Sequence, residues 1–332
     1  MTIHDVAKKA NVSISTVSRV INNKHNVREQ TKSKVIDAIK ELRFFPNAAA
    51  RSLIYNKTYN LALVISDIAN PSYSDLIKGV QFIANQDKYA VFLFDAEEKA
   101  EKELNILDML FEKRIDGIMI AAPRVSNRKL IEFANRKIPM VLYNRGSKNK
   151  DLFSIMINDS SGAFRAVSYL IELGHRRIGF ITGPIRSESC HAKYKGYKDA
   201  LKRYGLDFDG KLVAIGDATP KSGFKAMEKL LLLERPPTAV FVYDDYSAFG
   251  VYECIYKKGM QIPGDISVIG SDDVFYARFL NPPLTTLNIP YYKIGTRLAR
   301  TIISFLKGTK QIKRKIFIDP ELKIRGSTIR PN

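Results

Sequence analysis

The sequence is poor in cysteine, has no tryptophan and lacks long apolar runs. The two cysteines, Cys190 and Cys254, are too few for a disulfide framework and have no metal-ligand spacing. No apolar run approaches the roughly 18 residues of a membrane span. The N-terminus has neither the apolar core nor the cleavage site of a signal peptide. We therefore expect a reduced, cytoplasmic protein without membrane association.

The motifs of common enzyme classes are also missing. The sequence contains no glycine-rich phosphate loop, no dinucleotide-binding glycine fingerprint and no nucleophile elbow. Its histidines have no metal-ligand spacing, so we predict no metal and no cofactor. We expect His175, in L-G-H-R-R-I, to pack a helix-to-strand connection. A sugar- or nucleotide-processing enzyme on a Rossmann scaffold stays open as an alternative, because a fold does not fix a function.

Acidic residues are scarce relative to basic ones. Asp and Glu number 34 against 53 Lys and Arg, which gives a formal net charge of +19. Residues 1–57 hold eleven of the basic side chains and only four of the acidic ones, so positive charge is densest there. A strong positive balance indicates a polyanionic partner, although it also keeps a surface soluble. The location of the charge favours nucleic acid.

The first 45 residues have the pattern of three short helices. Thr2 with Asp5 makes a capping-box start, Asn11-Val12 ends the first helix, and Ser13 is placed to cap the second. The predicted inward-facing side chains are Ile3, Val6, Ala7 and Ala10, then Val17, Val20 and Ile21, and then Val35, Ile36, Ile39 and Leu42. Two helices joined by a tight turn, followed by a third, predict a helix-turn-helix domain.

From Leu61 onward, apolar runs of strand length alternate with amphipathic helices. This alternation predicts an α/β fold of parallel sheets covered on both faces. More than eight strands suit two open sheets better than one. The predicted strands are Leu61–Ile65, Ala90–Phe94, Gly117–Ala121, Met140–Tyr143, Ile155–Ile157, Ile178–Ile181, Leu212–Ile215, Ala239–Val242 and Ile266–Ile269.

Several motifs extend over essentially the whole chain. They include D-V-A-K-K-A-N-V-S-I-S-T-V-S-R-V-I-N (5–22), I-P-G-D-I-S-V-I-G-S-D-D (262–273) and P-P-L-T-T-L (282–287). In content and order they resemble the lactose/galactose repressor (LacI/GalR) family of bacterial transcription regulators. The resemblance implies a helix-turn-helix DNA-binding domain (1–45), a hinge helix and linker (46–57), and a two-lobed core like periplasmic binding proteins (58–332). The N-lobe is expected at about 58–158 and 289–319, and the C-lobe at about 159–288 and 320–332.

The resemblance also implies which residues contact DNA. The second helix would enter the major groove, where arginine reads guanine, serine bonds either kind of base edge and isoleucine touches only a thymine methyl. The implied base contacts of this helix are Ile14, Ser15 and Arg19. The implied phosphate contacts are Thr2, Ser13, Thr16 and Asn22. The hinge helix matches Asn47–Leu53, in which Ala49 and Ala50 permit close approach of two helices and Leu53 opens the central base step.

An effector is expected between the two lobes, and the resemblance implies a sugar or sugar derivative. The implied contacts follow the carboxyl ends of parallel strands, where open α/β sheets bind ligands: Tyr73, Asn144, Lys193, Asp244 and Asp272. Lys193 stands where family members commonly have arginine, and Ala218 where an aromatic is common, so no particular effector carries over. Arg145, Arg186 and Lys193 suit an anionic ligand, such as a phosphorylated or acidic sugar, and a solvated basic surface explains them nearly as well.

Together these features predict a homodimeric, non-enzymatic repressor of carbohydrate-related genes that binds near-palindromic double-stranded DNA. No heptad tail follows R-G-S-T-I-R-P-N, which predicts a dimer rather than a tetramer. A solute-binding protein of sugar transport is the alternative, and the basic segment 1–57 and the missing signal peptide argue against it. No motif indicates whether the effector induces or co-represses, or whether a phosphocarrier protein acts as a co-regulator.

Overall fold

Two units of different architecture make up the chain. The computed structural model describes residues 1–21, 27–44, 57–136, 138–147, 149, 152–309 and 314–331. The first unit is Met1–Thr58 and the second is Tyr59–Asn332.

The first unit contains the helices Ile3–Ala10, Ile14–Ile21 and Glu29–Glu41. The first helix begins where the Asp5 carboxylate accepts the backbone N–H of Thr2 at 2.7 Å, and it ends at Asn11, whose φ is 52°. The predicted cap of the second helix is confirmed, because Ser13 Oγ accepts the N–H of Thr16 at 3.2 Å.

The core of this unit joins all three helices around Val6, Val17 and Val35. One predicted inward residue is wrong: Ile36 is 37% exposed, and Ala38 is buried instead. The cause is helical spacing. Val35, Ala38, Ile39 and Leu42 follow the i, i+3, i+4, i+7 pattern of one face, whereas Ile36 is rotated by about 100° from Val35.

The second unit contains two six-stranded sheets. The strands are β1 Asn60–Ile65, β2 Ala90–Asp95, β3 Gly117–Ala121, β4 Met140–Tyr143, β5 Phe153–Ile157, β6 Ile178–Ile181, β7 Val213–Ala214, β8 Ala239–Val242, β9 Ser267–Asp272, β10 Thr285–Asn288, β11 Lys315–Ile318 and β12 Glu321–Lys323. The order of the first sheet is β11-β5-β4-β3-β1-β2, and its strands are parallel. The order of the second sheet is β12-β10-β9-β8-β6-β7, and its strands are parallel except for β12 against β10.

Helices cover both faces of each sheet, as separate apolar clusters on the two sides of each sheet show. The α-helices are Ser72–Gln86, Ala100–Glu112, Asn127–Ala134, Asp159–Glu172, Glu188–Arg203, Pro220–Leu231, Asp245–Lys257 and Tyr291–Leu306, and the 3₁₀ helices are Gly210–Leu212 and Phe275–Phe279.

Two strands depart from the sequence-based expectation. The strand predicted at Leu212–Ile215 shrinks to β7, because Leu212 belongs to a 3₁₀ helix. β2 was expected to be covered on both faces, but it lies at a sheet edge with Phe92 47% and Leu93 37% exposed.

The chain passes between the two sheets three times within the described residues. It crosses at Asn158, between Asn288 and Tyr291, and between Ile318 and Glu321. We call the part built on the first sheet the N-lobe and the part built on the second sheet the C-lobe.

The helix after the second crossing packs tightly into the N-lobe. A Cβ atom on Gly79 would lie 2.2 Å from the carbonyl oxygen of Tyr292, and one on Gly295 would lie 2.0 Å from that of Leu76. Both positions therefore require glycine. The helices Ser72–Gln86 and Tyr291–Leu306 touch backbone to backbone, which fixes the second crossing to the N-lobe.

Candidate functional site

The second helix of the first unit presents a polar face on the side opposite its core. Val17 and Val20 are buried, whereas Ile14 is 40% exposed and Ser15 and Arg19 are exposed too. The apolar positions recur at helical spacing, so the sequence divides this helix into a packed side and a free side. Ile14, Ser15 and Arg19 lie on the free side, where they are available to a partner.

Hydroxyl groups cluster at the start of the same helix. Ser13 Oγ lies 2.8 Å from Ser15 Oγ and 2.9 Å from Thr16 Oγ1. Hydroxyls beside the positive end of a helix suit an anionic group such as a phosphate. Thr2 is exposed at the start of the first helix. The other residues predicted to contact DNA or form the hinge lie outside the described residues: Asn22, Asn47, Ala49, Ala50 and Leu53.

A cavity in the second unit brings together all five residues predicted to contact an effector. Tyr73 and Asn144 come from the N-lobe, and Lys193, Asp244 and Asp272 come from the C-lobe. Asn144 directly follows β4, Asp244 is the second residue after β8, and Asp272 ends β9, so the carboxyl ends of parallel strands meet here. Their role as effector contacts remains a prediction.

Hydrogen bonds connect the two lobes around the cavity. Asn70 Nδ2 donates to Asp244 Oδ2 at 3.5 Å, and Asn144 Nδ2 donates to Asp159 Oδ2 at 3.5 Å. At the rim, the N–H of Gly146 donates to the Glu188 carboxylate at 2.9 Å. The lobes therefore meet through polar groups, which a ligand can replace or join.

The ammonium group of Lys193 is buried in the C-lobe wall. Its Nζ donates to the carbonyl oxygen of Tyr243 at 2.7 Å and to Ser271 Oγ at 2.9 Å. It also lies 3.7 Å from Asp159 Oδ1 and 4.6 Å from the centre of the Tyr243 ring. The protein itself thus satisfies this cation.

Asp272 lies at a strained turn that connects the cavity to the second crossing. Its φ is 130°, and that of Asp273 is 56°, both in the region that favours glycine. Tyr291 Oη donates to Asp272 Oδ1 at 2.8 Å. The turn is held by Asp273, which accepts from Arg325 at 2.5 Å and from Asn288 at 2.9 Å. These contacts fix the direction of the Asp272 carboxylate.

Asp245 stabilises the same turn through hydrogen bonds from the protein interior. Its fully buried carboxylate accepts the N–H of Val274 at 2.9 Å and the hydroxyl of Thr286 at 2.6 Å. Burial, helped by the neighbouring Asp244 and Asp273 carboxylates, raises the pKa of Asp245 to about 7. Burial likewise raises the pKa of Asp244 to about 6. Ionised acids are therefore disfavoured in this part of the C-lobe.

We expect Asp245→Asn to stabilise the protein at high pH. The pKa of Asp245 is higher in the folded than in the unfolded state, where it is about 3.9. The wild type therefore loses stability as the pH rises from about 4 through about 7. Asparagine does not ionise, so the variant does not lose this stability. Its free energy of unfolding should exceed that of the wild type by about 1–2 kcal/mol at pH 8, and the difference should shrink toward pH 4. Urea unfolding at both pH values measures it; a constant difference would contradict the prediction.

Several residues that line the cavity were not predicted from the sequence. They are Glu98, Arg124, Tyr143, Asp159, Tyr243 and Tyr291. Tyr143 and Tyr243 adjoin predicted residues at strand ends, and Arg124 closely follows β3, so attention to every strand end would have found them. Tyr291 gave no such signal, because it reaches the cavity from the second crossing.

The structure does not place Arg145, Arg186 and Lys193 as an anionic ligand in the cavity would require. Arg145 pairs with Glu188 at 3.2 Å and donates to Asn127 at 2.9 Å. Arg186 is exposed and does not line the cavity. Lys193 is held by groups of the C-lobe wall. None of the three presents a free charge to a ligand in the cavity.

The histidine and cysteine side chains described next lie in packed surroundings rather than in the cavity. As predicted, His175 packs a connection: Nδ1 lies 2.9 Å from Thr238 Oγ1, and Nε2 lies 2.9 Å from the carbonyl oxygen of Ile329. Cys190 and Cys254 are buried free thiols. Among the described residues, no group of three or more His, Cys, Asp and Glu could hold a metal ion, and no helix is long and apolar enough to cross a membrane.

Known proteins match both units. Residues 2–47 match the family described as bacterial regulatory proteins, lacI family, and residues 167–328 match a periplasmic binding protein-like domain. The HTH-type transcriptional repressor CytR of Escherichia coli (strain K12) is 36% identical over 327 residues, which are 98% of this chain and 96% of CytR.

Solved structures resemble the chain over nearly its whole length. The lac repressor dimer bound to operator and the anti-inducer ONPF has a TM-score of 0.89 at 26% identity, with 99% of each chain covered. The complex of the transcriptional regulator CelR with cellobiose has a TM-score of 0.75 at 28% identity, and the match covers 98% of this chain and 99% of that one.

Proposed function

Because this chain belongs to the lacI family of bacterial regulatory proteins, whose members are effector-controlled DNA-binding regulators, we propose that it represses transcription from a near-palindromic operator under the control of a sugar or sugar derivative. It acts in the cytoplasm, where the operator is accessible. The DNA-binding domain is residues 1–45, the hinge helix and linker are 46–57, and the core is 58–332.

One observation carries this proposal. The five residues that the family resemblance implies as effector contacts line a single cavity between two lobes, in a chain whose first unit also presents a free polar helix face. A ligand held between lobes favours one arrangement of the lobes over others, which is what control by an effector requires. The second helix and the residue before it supply groups for DNA: Ile14, Ser15 and Arg19 for bases, and Ser13 and Thr16 for phosphates. Thr2, at the start of the first helix, supplies a further phosphate contact.

A second copy of the chain completes the regulator. Phe275, Tyr276 and Phe279 on a short helix of the C-lobe are 58%, 59% and 67% exposed. Several exposed aromatic side chains close together are typical of an interaction surface. A homodimer covers them and presents two helix-turn-helix domains to two half-sites, about one helical turn or a multiple of it apart.

Duplex DNA binding, measured at several salt concentrations with and without ligand, tests the proposal. A regulator shows a steep negative slope of log affinity against log salt. A thermal-shift screen of sugars and sugar derivatives supplies the ligand, because binding to the folded state raises its stability. Weak, salt-insensitive DNA binding, or DNA affinity that no stabilising ligand changes, would refute it.

We expect Leu53→Ala to lower operator affinity and to shrink the effector response together. Leu53 is proposed to wedge open the central base step, and a hinge helix of about two turns is marginal without its partner. The coupling between effector and DNA should be about 1–3 kcal/mol and reciprocal in the wild type. Fluorescence anisotropy with labelled operator measures both quantities. Normal affinity with a full effector response would rule out the hinge mechanism.

A further inference from the structure

The cavity between the lobes has an excess of acidic side chains. Four acidic residues line it, Glu98, Asp159, Asp244 and Asp272, against two basic ones, Arg124 and Lys193. What this excess means for a ligand depends on which of these charges the protein already neutralises.

Both basic side chains are occupied by protein groups. Arg124 Nε pairs with the Glu98 carboxylate, and its Nη1 donates to the carbonyl oxygen of Ala122 at 2.8 Å. Lys193 donates to the carbonyl oxygen of Tyr243 and to Ser271, and it lies close to Asp159. Two of the four acids are thereby balanced by internal cations.

Asp244 and Asp272 are the two acids that remain. Within the part of the chain that the structure describes, neither forms an ion pair with Lys, Arg or His. Asp244 accepts from the N–H of Ser247 at 2.8 Å and from Asn70, and Asp272 accepts from the Tyr291 hydroxyl. Both are at least 94% buried, since their exposed fractions are 3% and 6%.

The aromatic side chains of the cavity are uncharged. Tyr73, Tyr143, Tyr243 and Tyr291 line it, and burial raises the pKa of each hydroxyl above its usual range. Tyrosine rings offer apolar faces and neutral hydroxyls to a ring-shaped ligand. They do nothing to neutralise an added negative charge.

We propose, building on the proposed function, that the effector is an uncharged ring compound rich in hydroxyl or amino donors and carries no phosphate or carboxylate. Its donors bind the carboxylates of Asp244 and Asp272, and its ring lies against the tyrosines. A phosphate would be brought beside two buried carboxylates with no free cation to balance it, and like charges repel strongly where water is excluded.

The pKa values of the two carboxyl groups also support an uncharged effector. Burial raises the pKa of Asp244 to about 6 and that of Asp272 well above its usual range; Glu98 adds to the rise at Asp244, Asp244 and Asp245 add to it at Asp272, and the nearby Lys193 offsets only part of it. The cavity therefore resists even the negative charge that it already holds.

Isothermal titration of the full-length protein with matched pairs tests the proposal. The pairs are ribose and ribose 5-phosphate, glucose and glucose 6-phosphate, and adenosine and adenosine 5′-monophosphate, with inorganic phosphate as a further probe. In any pair that binds, we expect the neutral member to bind at least about 100-fold more tightly. Tighter or equal binding of the phosphorylated member, or binding of inorganic phosphate in the cavity, would overturn it.

Two variants test whether the acidic residues cause the preference for the neutral ligand. Asp272→Asn removes one negative charge, so the preference for the neutral member should shrink at least about 5-fold. Asp199→Asn removes a partly exposed acid on the helix Glu188–Arg203, outside the cavity, and should leave the preference unchanged. An unchanged preference in Asp272→Asn would overturn the assignment.

Native mass spectrometry after incubation with a bacterial metabolite extract covers ligands beyond these pairs. A retained neutral compound supports the proposal, and a retained phosphorylated or carboxylated compound overturns it. Retention of no compound, together with no binding in any pair, would count against an effector altogether and so would refute the proposed function as well. The two failures are therefore distinguishable.

Discussion

Arg19→Ala is expected to weaken binding to the specific operator about 5- to 150-fold, which corresponds to about 1–3 kcal/mol for one bidentate contact with guanine. Arg19 is exposed on the free side of the helix Ile14–Ile21, while Val17 and Val20 anchor the opposite side. Loss of its guanidinium should therefore remove recognition without disturbing the packed core. Ligand binding in the other unit should stay unchanged.

The comparison with random DNA distinguishes base from phosphate contact. Lys40→Ala serves as the matched control, because it removes an exposed positive charge from the helix Glu29–Glu41 instead. Anisotropy titrations with operator and random duplexes should show a selective loss in Arg19→Ala and a much smaller one in the control. An equal loss on both duplexes would mean that Arg19 contacts phosphate.

Asp272→Asn is expected to weaken effector binding about 10- to 150-fold, the range for losing a hydrogen bond to a charged group in a buried site. Asparagine has nearly the same shape as aspartate, so the backbone strain at φ 130° is the same in both proteins. It can also still accept the hydroxyl of Tyr291. The loss of effector affinity should therefore result from the missing negative charge and not from a change in the structure of the turn.

Operator binding without effector shows whether this variant is folded. Asp108→Asn is the control, since Asp108 is an exposed acid paired with Arg136, away from the cavity. Titration of the compound found by thermal shift should show weaker binding only in Asp272→Asn. Full effector affinity in that variant would remove Asp272 from the site.

Local spacing was sufficient to predict the helices of the first unit and the positions at the ends of long apolar strands. Val17 and Val20 face inward as predicted because a period of 3.6 residues leaves little choice. That Asn144 and Asp244 each lie at the carboxyl edge of a sheet follows from their places after parallel strands, but the strands belong to different sheets, and only the family resemblance implied that the two residues share a cavity. Neighbouring residues in the sequence therefore determine the buried helix faces and the strand ends, but not the meeting of the two lobes.

The remaining features depend on contacts between distant parts of the chain. The last three strands, β10 to β12, are only three or four residues long and mix polar with apolar residues, so their pattern gives a weak signal. Whether a basic residue is free for a ligand depends on its partner. Arg124 meets Glu98, and Arg145 meets Glu188, and neither pairing can be derived from spacing along the sequence.

The contact between the helices Ser72–Gln86 and Tyr291–Leu306 bears on how segments of this protein can be exchanged with those of a relative. The helices are far apart in the sequence, but their backbones meet at Gly79 and Gly295, where no side chain can adjust. A chimera that takes one helix from each parent would join two unmatched surfaces. Exchange of Asp159–Asn288 keeps both helices from one parent and transfers Lys193, Asp244 and Asp272 together. If the three residues contact the effector as proposed, a chimera with this segment should acquire the part of the ligand preference that the C-lobe determines.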